Sequence, residues 1–205
     1  MANNNAPFGL RPRKYLNGAP YNGQCREYFV TGSVGAIFIG DPVMLAGSAN
    51  TAEFAGNQPG SLATVIPALD GDADPIVGVC VGVKAVTRDS VPYREDSTDR
   101  IIEVADDPNI IFEVQADAGG TALAATDVGA YAVLQAAAGS TVTGMSGWAL
   151  DTAVTAVNND PSYQLQIMGF SNDVRNEIGA YARVEVIINN HAYAQAADAG
   201  RATAA

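Results

Sequence analysis

Short apolar or alternating runs, separated by turn residues, recur along the chain after residue 26. β-Branched and aromatic residues are dense in these runs, and the turn signals recur at the spacing of all-β folds. The pattern predicts strands at 27–30, 36–39, 42–46, 63–69, 76–87, 100–105, 109–116, 130–136, 163–170 and 182–193. "YQLQIMGF" and "ARVEVII" alternate cleanly, so each is expected to bury one face. Gly78 and Gly82 are expected at a bend or a close crossing in a barrel.

Helix is expected to be scarce. "TALAATDVG" (121–129) suits one or two turns, and "SGWALDTAVTAV" (146–157) has no clean 3.6-residue period and suits at most a short helix. The sequence contains no tandem repeat, and no linker divides it into two cores. The sequence therefore predicts a mainly β fold: a single β-barrel or sandwich domain over residues 27–193, with an extended N-terminal arm (1–26) and a C-terminal tail (194–205).

The N-terminal arm has apolar anchors but no periodicity, because prolines and glycines interrupt it. Ordering a residue costs about 1–2 kcal/mol, whereas each buried anchor returns about 2–3 kcal/mol. The arm is therefore expected to order on the surface of a neighbouring subunit, and a chain without residues 1–24 is expected to stay folded. The expected contact residues are Phe8, Leu10, Arg11, Arg13, Lys14, Tyr15 and Tyr21. The alternative is an arm folded back on its own barrel.

Charge is sparse and unevenly placed. The net charge is −11, and charged residues make up 16% of the chain, against about 25% in ordinary soluble domains. Residues 1–26 hold four bases and no acid, which leaves seven bases and 22 acids, or −15, for the rest. The acidic body would repel phosphates, so direct nucleic-acid binding is not expected, and an acidic protein surface is the natural partner for the arm. The low charge density indicates a surface largely covered by contacts.

No membrane contact is expected, because no apolar run approaches the roughly 20 residues that span a bilayer. Without a secretory leader pattern, the chain is expected to be made in the cytoplasm. Catalytic motifs are also missing from the pattern. His191 is the single histidine and is expected at a surface or interface. Cys80 lies in the apolar run "IVGVCVGV" and is expected to be buried rather than bridged to Cys25.

A calcium loop is the best metal candidate. "LDGDADP" places Asp70, Asp72 and Asp74 at alternate positions, as at the start of such a loop. However, Pro75 and Val81 stand where that loop needs Gly and Glu, and Asp-Gly and Asp-Pro are ordinary turn dipeptides. Calcium is therefore the minority interpretation. We expect no cofactor and no enzymatic activity.

Several segments resemble virion proteins of tailed bacteriophages. They are the opening "ANNNAPFGLRP", "NIIFEVQADAGGTALAATDVGAYAVL" (109–134), "GSTVTGMSGWALD" (139–151) and "YQLQIMGFSNDVRNEIGAYARVEVIINNHAY" (163–193). The shared features are a strand ending in "FEVQ" before a polar turn and "DVG", an N-x-x-G loop at Asn176–Gly179, and a closing strand ending in "INNH". None of these features is a catalytic signature.

The resemblance implies a capsid decoration, or cement, protein. Such proteins are small β-barrel or β-tulip domains that bind the outside of the expanded capsid lattice and clamp neighbouring subunits of the major capsid protein. It also implies self-association, for example as a homotrimer, and a place on the capsid surface of the virion. None of the shared motifs is specific enough to assign a functional role to an individual residue.

Three other interpretations stay open at this stage. A tail-tube, baseplate or head-completion protein would share the virion resemblance. A carbohydrate-binding β module usually displays exposed aromatics, but Trp148 is the only tryptophan and is flanked by small residues. A metal-dependent hydrolase would need a ligand set that the pattern does not supply.

Overall fold

The structure, a computed structural model, describes residues 3–71, 74–153 and 156–194. It is mainly β and contains a closed five-stranded barrel, as the pattern predicted. The strands are β1 (Arg11–Tyr15), β2 (Arg26–Val30), β3 (Pro42–Ala49), β4 (Ala63–Pro67), β5 (Gly78–Val83), β6 (Arg100–Ala105), β7 (Ile110–Gln115), β8 (Tyr131–Ala132), β9 (Leu134–Gln135), β10 (Ala149–Leu150), β11 (Val157–Asn158), β12 (Leu165–Phe170) and β13 (Arg183–Ile188). One 3-10 turn covers Ala125–Asp127.

The barrel is built from consecutive strands in the order β2-β4-β3-β5-β6. Its pairs are antiparallel except β2 with β4. Apolar side chains such as Tyr28, Val43 and Ile102 fill its interior together with the buried Cys80 thiol. Gly78 lies so close to β6 that a Cβ atom there would come within 2.3 Å of the Ala105 carbonyl oxygen. This contact is the close crossing expected from the glycine pattern of β5.

The second sheet has the order β1-β7-β13-β12-β8-β11 and is antiparallel throughout. β13 alternates half-buried and buried positions, and its inner side chains Val184 and Val186 join Phe112 of β7 in one apolar core. The same core includes Ile76 and Val79 from the barrel part of the chain, so the sheet packs against the barrel. The short β9–β10 ribbon adds further residues to this core.

Some local expectations are corrected by the structure. Residues 36–39 are not a strand: Ile37 and Ile39 form isolated bridges to Arg94 and Met145. The region 146–157 contains β10 rather than a helix, as far as its described residues go, and 121–129 forms only the 3-10 turn. In the described residues, no helix is long and apolar enough to cross a membrane.

The N-terminal arm is part of the chain's own sheet, which corrects the expectation that it orders only on a neighbour. β1 is the edge strand beside β7, and the two pair from Arg11 opposite Glu113 to Tyr15 opposite Ile110. Just before β1, the Leu10 side chain is 1% exposed and lies in the shared core. Hydrogen bonds to β7 supply the free energy that the apolar anchors alone lack. The alternative of an arm folded back on its own chain is therefore the observed arrangement.

This arrangement also revises the expectation that the chain folds without residues 1–24. Such a deletion would remove an edge strand and a fully buried leucine from the core. Of the predicted tail (194–205), only Ala194 falls among the described residues.

Candidate binding surface

β1 divides its side chains between the core and the solvent. Leu10 enters the core just before the strand, whereas Arg11 and Arg13 are exposed. The pairing with β7 shifts register between Pro12 and Lys14. A bulge of this kind sets two residues of one strand opposite one of the other, and here both Arg13 and Lys14 reach carboxylates on the outer side of the sheet.

Those carboxylates form an ion network across three strands. Glu113 of β7 and Glu185 of β13 are directly paired, an arrangement in which like charges repel. Lys14 Nζ lies 2.7 Å from Glu185 Oε2, and Arg13 Nε lies 3.9 Å from Glu113 Oε2. The buried Glu113 also accepts a 2.6 Å hydrogen bond from Ser171 Oγ. The cations of β1 therefore offset the repulsion between the carboxylates of β7 and β13.

The chain after β1 folds back along the outer edge of that strand. Tyr15 N donates to the Ala19 carbonyl at 2.8 Å, and Tyr21 N donates to the Arg13 carbonyl at 3.1 Å. The Tyr15 and Tyr21 rings lie 6.0 Å apart and pack against the core of the second sheet. Desolvation, with negative charge nearby, raises the pKa of Tyr21 to about 12. Both tyrosines thus stabilise the edge of their own sheet.

A pocket of about 320 Å³ lies where residues 3–8 meet the loop between β12 and β13. Three of its lining residues are arginines, which is unusual in so acidic a chain. The described residues that line it are Asn3, Asn4, Ala6, Phe8, Arg11, Gln115, Arg175, Tyr181 and Arg183. The Arg11 guanidinium carbon lies 4.4 Å from the centre of the Phe8 ring, a cation–π contact that orients it.

Three side-chain amides fix the walls of this pocket. Gln115 Nε2 donates to the carbonyls of Asn4 and Tyr181, and its Oε1 accepts from Ala6 N at 2.8 Å. Asn3 bridges to the backbone of the loop at Glu177 and Ala180. Asn176 pairs with both backbone groups of Arg183, at 2.8 Å each. The N-terminal segment and the loop are therefore held by directional bonds.

Tyr181, on the wall of the pocket, has a left-handed backbone with φ of +57°. This region is costly for a bulky residue, so the surrounding bonds must hold it there. The Gln115 amide supplies one such bond through the Tyr181 carbonyl, at 3.1 Å.

The charge balance of the pocket differs from that of the whole chain. Arg183 Nη2 is 3.0 Å from Asp173, and a hydrogen bond from the Arg175 backbone N–H, followed by the bond from Arg183, lowers the pKa of that carboxyl. In the described part of the chain, neither Arg11 nor Arg175 forms an ion pair with a carboxylate. The charge of Arg175 also lowers the pKa of Asp173, but among the described residues no carboxylate lies within ion-pair distance of the Arg11 or Arg175 guanidinium.

Two exposed apolar side chains belong to the loop that supplies Arg175 to the pocket. Val174 is fully exposed and Ile178 is 56% exposed, and they lie on either side of Arg175 in the same loop. Exposed large apolar side chains next to a set of polar anchors are typical of a surface that binds another protein. We call this combination of the arginine pocket, Val174 and Ile178 the N-terminal face.

The structure separates the seven predicted contact residues into three groups. Leu10 is buried in the core and is unavailable to a partner, which corrects its assignment. Phe8 and Arg11 line the pocket. The others, Arg13, Lys14, Tyr15 and Tyr21, take part in ion pairs or ring packing within the chain.

Arg175, Tyr181 and Arg183 were missed by the sequence analysis, although the resemblance includes their segment. The only available signal was that Arg175 and Arg183 are two of the three basic residues after residue 100, the third being Arg201.

The calcium candidate has only part of its residues in the described chain. Asp70 is exposed in a turn, where its Oδ1 accepts from Ala136 N at 3.2 Å. Asp74 is half-buried, and Asp72 lies outside the described residues. Among the described residues, no group of three His, Cys, Asp or Glu side chains could hold a metal ion.

His191 is buried rather than at the surface. Its Nδ1 accepts from Tyr193 N at 3.0 Å, and burial lowers the pKa of the imidazole. Cys25 is exposed and Cys80 buried, and both are free thiols. The buried state of Cys80 agrees with its apolar context.

Comparisons of the chain with protein-family models, with curated proteins and with solved structures found no match.

Proposed function

We propose that this chain is a non-enzymatic structural protein of a tailed-phage virion, which decorates the outside of the expanded capsid and clamps neighbouring major capsid subunits. The observation that carries the proposal is the N-terminal face. It combines two arginines that have no ion-paired carboxylate among the described residues with two exposed apolar side chains of the Arg175 loop, on an acidic, sparsely charged protein. A face of this composition suits attachment to a protein surface.

The location of the virion-like segments supports the same proposal. Residues 109–134 and 163–193 supply β7, β8, β12 and β13 of the second sheet. The opening segment supplies residues 3–8 of the pocket and the start of β1. The resemblance and the N-terminal face thus fall on the same part of the molecule.

Binding to a repeating lattice explains how a face with low affinity for a single site could still attach the protein firmly. Many copies that contact neighbouring subunits gain avidity without any single strong contact. A protein that binds the expanded shell more tightly than the unexpanded shell stabilises the expanded state by mass action. The clamp would therefore act through binding alone.

Co-sedimentation with expanded heads that lack the protein tests the proposal. The double variant Arg11→Gln and Arg175→Gln should bind at least about tenfold more weakly, because charged groups at an interface contribute to both encounter and retention. The matched control is Lys84→Gln with Arg88→Gln, which removes the same charge from exposed positions outside the N-terminal face. The control should bind like the unaltered protein.

Two results would overturn the proposal. One is a failure of the unaltered protein to sediment with expanded heads. The other is assembly of the purified protein into rings or tubes without heads, which would favour a tail-tube or baseplate component.

A further inference from the structure

We propose that the arginine pocket of the N-terminal face is a carboxylate-binding site, which takes an Asp or Glu side chain from an acidic segment of a partner protein. The identity of that partner as a capsid subunit rests on the proposed function. The chemistry of the site follows from the residues of the pocket and does not rest on the proposed function.

The arginines indicate an anionic ligand. Arg11 and Arg175 have no ion-paired carboxylate in the described chain, although the whole chain holds twice as many acids as bases. A guanidinium group offers parallel N–H donors that match the two oxygens of a carboxylate. The chain's nearby acids, Asp173 and Glu113, lie at the third arginine, Arg183, so a carboxylate from outside would bind at Arg11 and Arg175.

The surroundings favour a carboxylate on a protein over the phosphates of a nucleic acid. Asp173 and the buried Glu113 lie beside Arg183, at 3.0 and 4.0 Å, and would repel a closely spaced polyanion. A volume of about 320 Å³ suits one or two side chains. Val174 and Ile178, exposed in the same loop as Arg175, offer apolar surface for the residues that flank an acidic residue in a peptide.

The pocket is also preorganised. The side-chain amides of Gln115, Asn3 and Asn176 hold its two walls through hydrogen bonds to the backbone. The Phe8 ring orients the Arg11 guanidinium. A ligand that enters a pocket with fixed walls orders fewer groups on binding, so more of the interaction energy appears as affinity.

Titration of the full chain with defined probes, followed by NMR chemical shifts, tests the inference. The main probe is the blocked peptide acetyl-Leu-Glu-Glu-Leu-amide, and its matched control is acetyl-Leu-Gln-Gln-Leu-amide. Inorganic phosphate and a ten-nucleotide oligothymidine are the remaining arms. We expect saturable binding of the acidic peptide, with the glutamine peptide about tenfold weaker or undetectable.

Variants locate the site. Arg11→Gln with Arg175→Gln should weaken binding of the acidic peptide about tenfold. When Arg175→Lys replaces Arg175→Gln in that double variant, only part of the lost affinity should return, because an ammonium group cannot form the paired bonds. Lys84→Gln with Arg88→Gln should leave peptide binding unchanged. Thermal unfolding of each variant checks that the fold persists.

Equal binding of the two peptides, tighter binding of phosphate or oligothymidine, or an unchanged peptide affinity in the arginine variant would each overturn the inference. Peptide binding and head binding are measured separately. If the unaltered protein binds heads but not the acidic peptide, the carboxylate site is rejected and the proposed function stands. Peptide binding without head binding would do the reverse.

Discussion

The barrel and the second sheet solve the problem of strand edges in different ways. The barrel uses five strands between residues 26 and 105 and closes on itself. The second sheet is open, and its edge β1 comes from the start of the chain to pair with β7, which begins at Ile110. A closed barrel leaves no edge for another chain to extend, whereas an open sheet needs its edge covered. Here the chain after β1 lies along that edge, and the segment before β1 helps to build the N-terminal face.

The two regions also bury opposite charges. Near the end of the barrel, Arg94 is fully buried and donates to the carbonyls of Thr31, Val34, Gly35 and Thr98. In the second sheet, the buried Glu113 lies near Arg13 and Arg183. In the barrel, the Arg94 guanidinium therefore joins neighbouring loops. In the second sheet, Arg13 of β1 and Arg183 of β13 lie beside the buried Glu113 carboxylate and offset its charge. Each arrangement is open to a direct test.

Replacing Arg94 should have the largest effect, and it should fall on the barrel. Arg94→Met would remove the side chain that makes four part-buried hydrogen bonds to loop carbonyls, at a cost of about 3–5 kcal/mol in the free energy of unfolding. Urea denaturation measures this change. Arg88→Met, at an exposed position, is the control and should cost less than about 0.5 kcal/mol. A small effect of Arg94→Met would show that the loops do not depend on the buried guanidinium.

Truncating Leu10 should destabilise the second sheet by nearly as much. Leu10→Ala would open a cavity in the shared core and cost about 3 kcal/mol. Hydrogen exchange should show faster exchange in β1 and β7 than in the barrel. The exposed Leu16→Ala should be close to neutral. If Leu10→Ala were equally neutral, the N-terminal segment would not be part of the core in solution.

The pH dependence of stability due to Asp41 tests the contact between the barrel and the N-terminal segment. It is buried beside Gly40, whose carbonyl accepts from Leu10 N, and in the structure its Oδ1 has no hydrogen-bond partner. Burial raises the pKa of Asp41 to about 6, although hydrogen bonds from Ser146 and the Phe38 N–H act in the opposite direction. The folded state therefore holds the proton more tightly than the unfolded state, so this residue's contribution to stability falls as pH rises from about 4 to about 6.

Asp41→Asn should remove that dependence. The variant should be more stable than the unaltered protein by about 2–3 kcal/mol at pH 7.5, and the difference should vanish below about pH 4. Urea denaturation at several pH values measures it, with Glu53→Gln as the exposed control. A difference that is the same at every pH would indicate a change in packing rather than in the titration of Asp41.

Removing the Lys14 charge should give the smallest effect. Lys14→Gln would break the 2.7 Å pair with Glu185, but the two side chains are 40% and 23% exposed, so the loss should be below about 1 kcal/mol and should shrink in high salt. Thermal unfolding at low and high salt measures it. A large, salt-independent loss would instead mean that β1 needs this ion pair to stay on the sheet.

The sequence analysis predicted the regular parts of the fold from local pattern. β6 was placed at its observed bounds, and β12 and β13 lie within their predicted ranges. β6 is buried at five of its six positions and reads as a short apolar run, whereas β13 alternates half-buried and buried positions and leaves an alternating record in the sequence. β1 left no such record. Pro12 and the bulge interrupt its alternation, and its partner β7 lies about a hundred residues away, so its pairing is decided by tertiary structure.

The candidate site was predictable only in part. The basic start of the chain indicated a binding role for Phe8 and Arg11, and both line the pocket. Arg175 and Arg183 come from the loop before β13 and from the strand itself, and nothing in their local pattern connects them with Arg11. Only the antiparallel order β1-β7-β13 brings these arginines to one place. Leu10 was misassigned because an apolar residue in an irregular segment has no periodicity to show which side it faces.

A cryo-electron microscopy reconstruction of expanded heads with the protein bound tests the central claim most directly. Our account predicts that the N-terminal face, with Arg11, Arg175 and Val174, lies against the capsid and that the closed barrel projects outward. A reconstruction in which the barrel contacts the lattice and the arginine pocket faces solvent would contradict it.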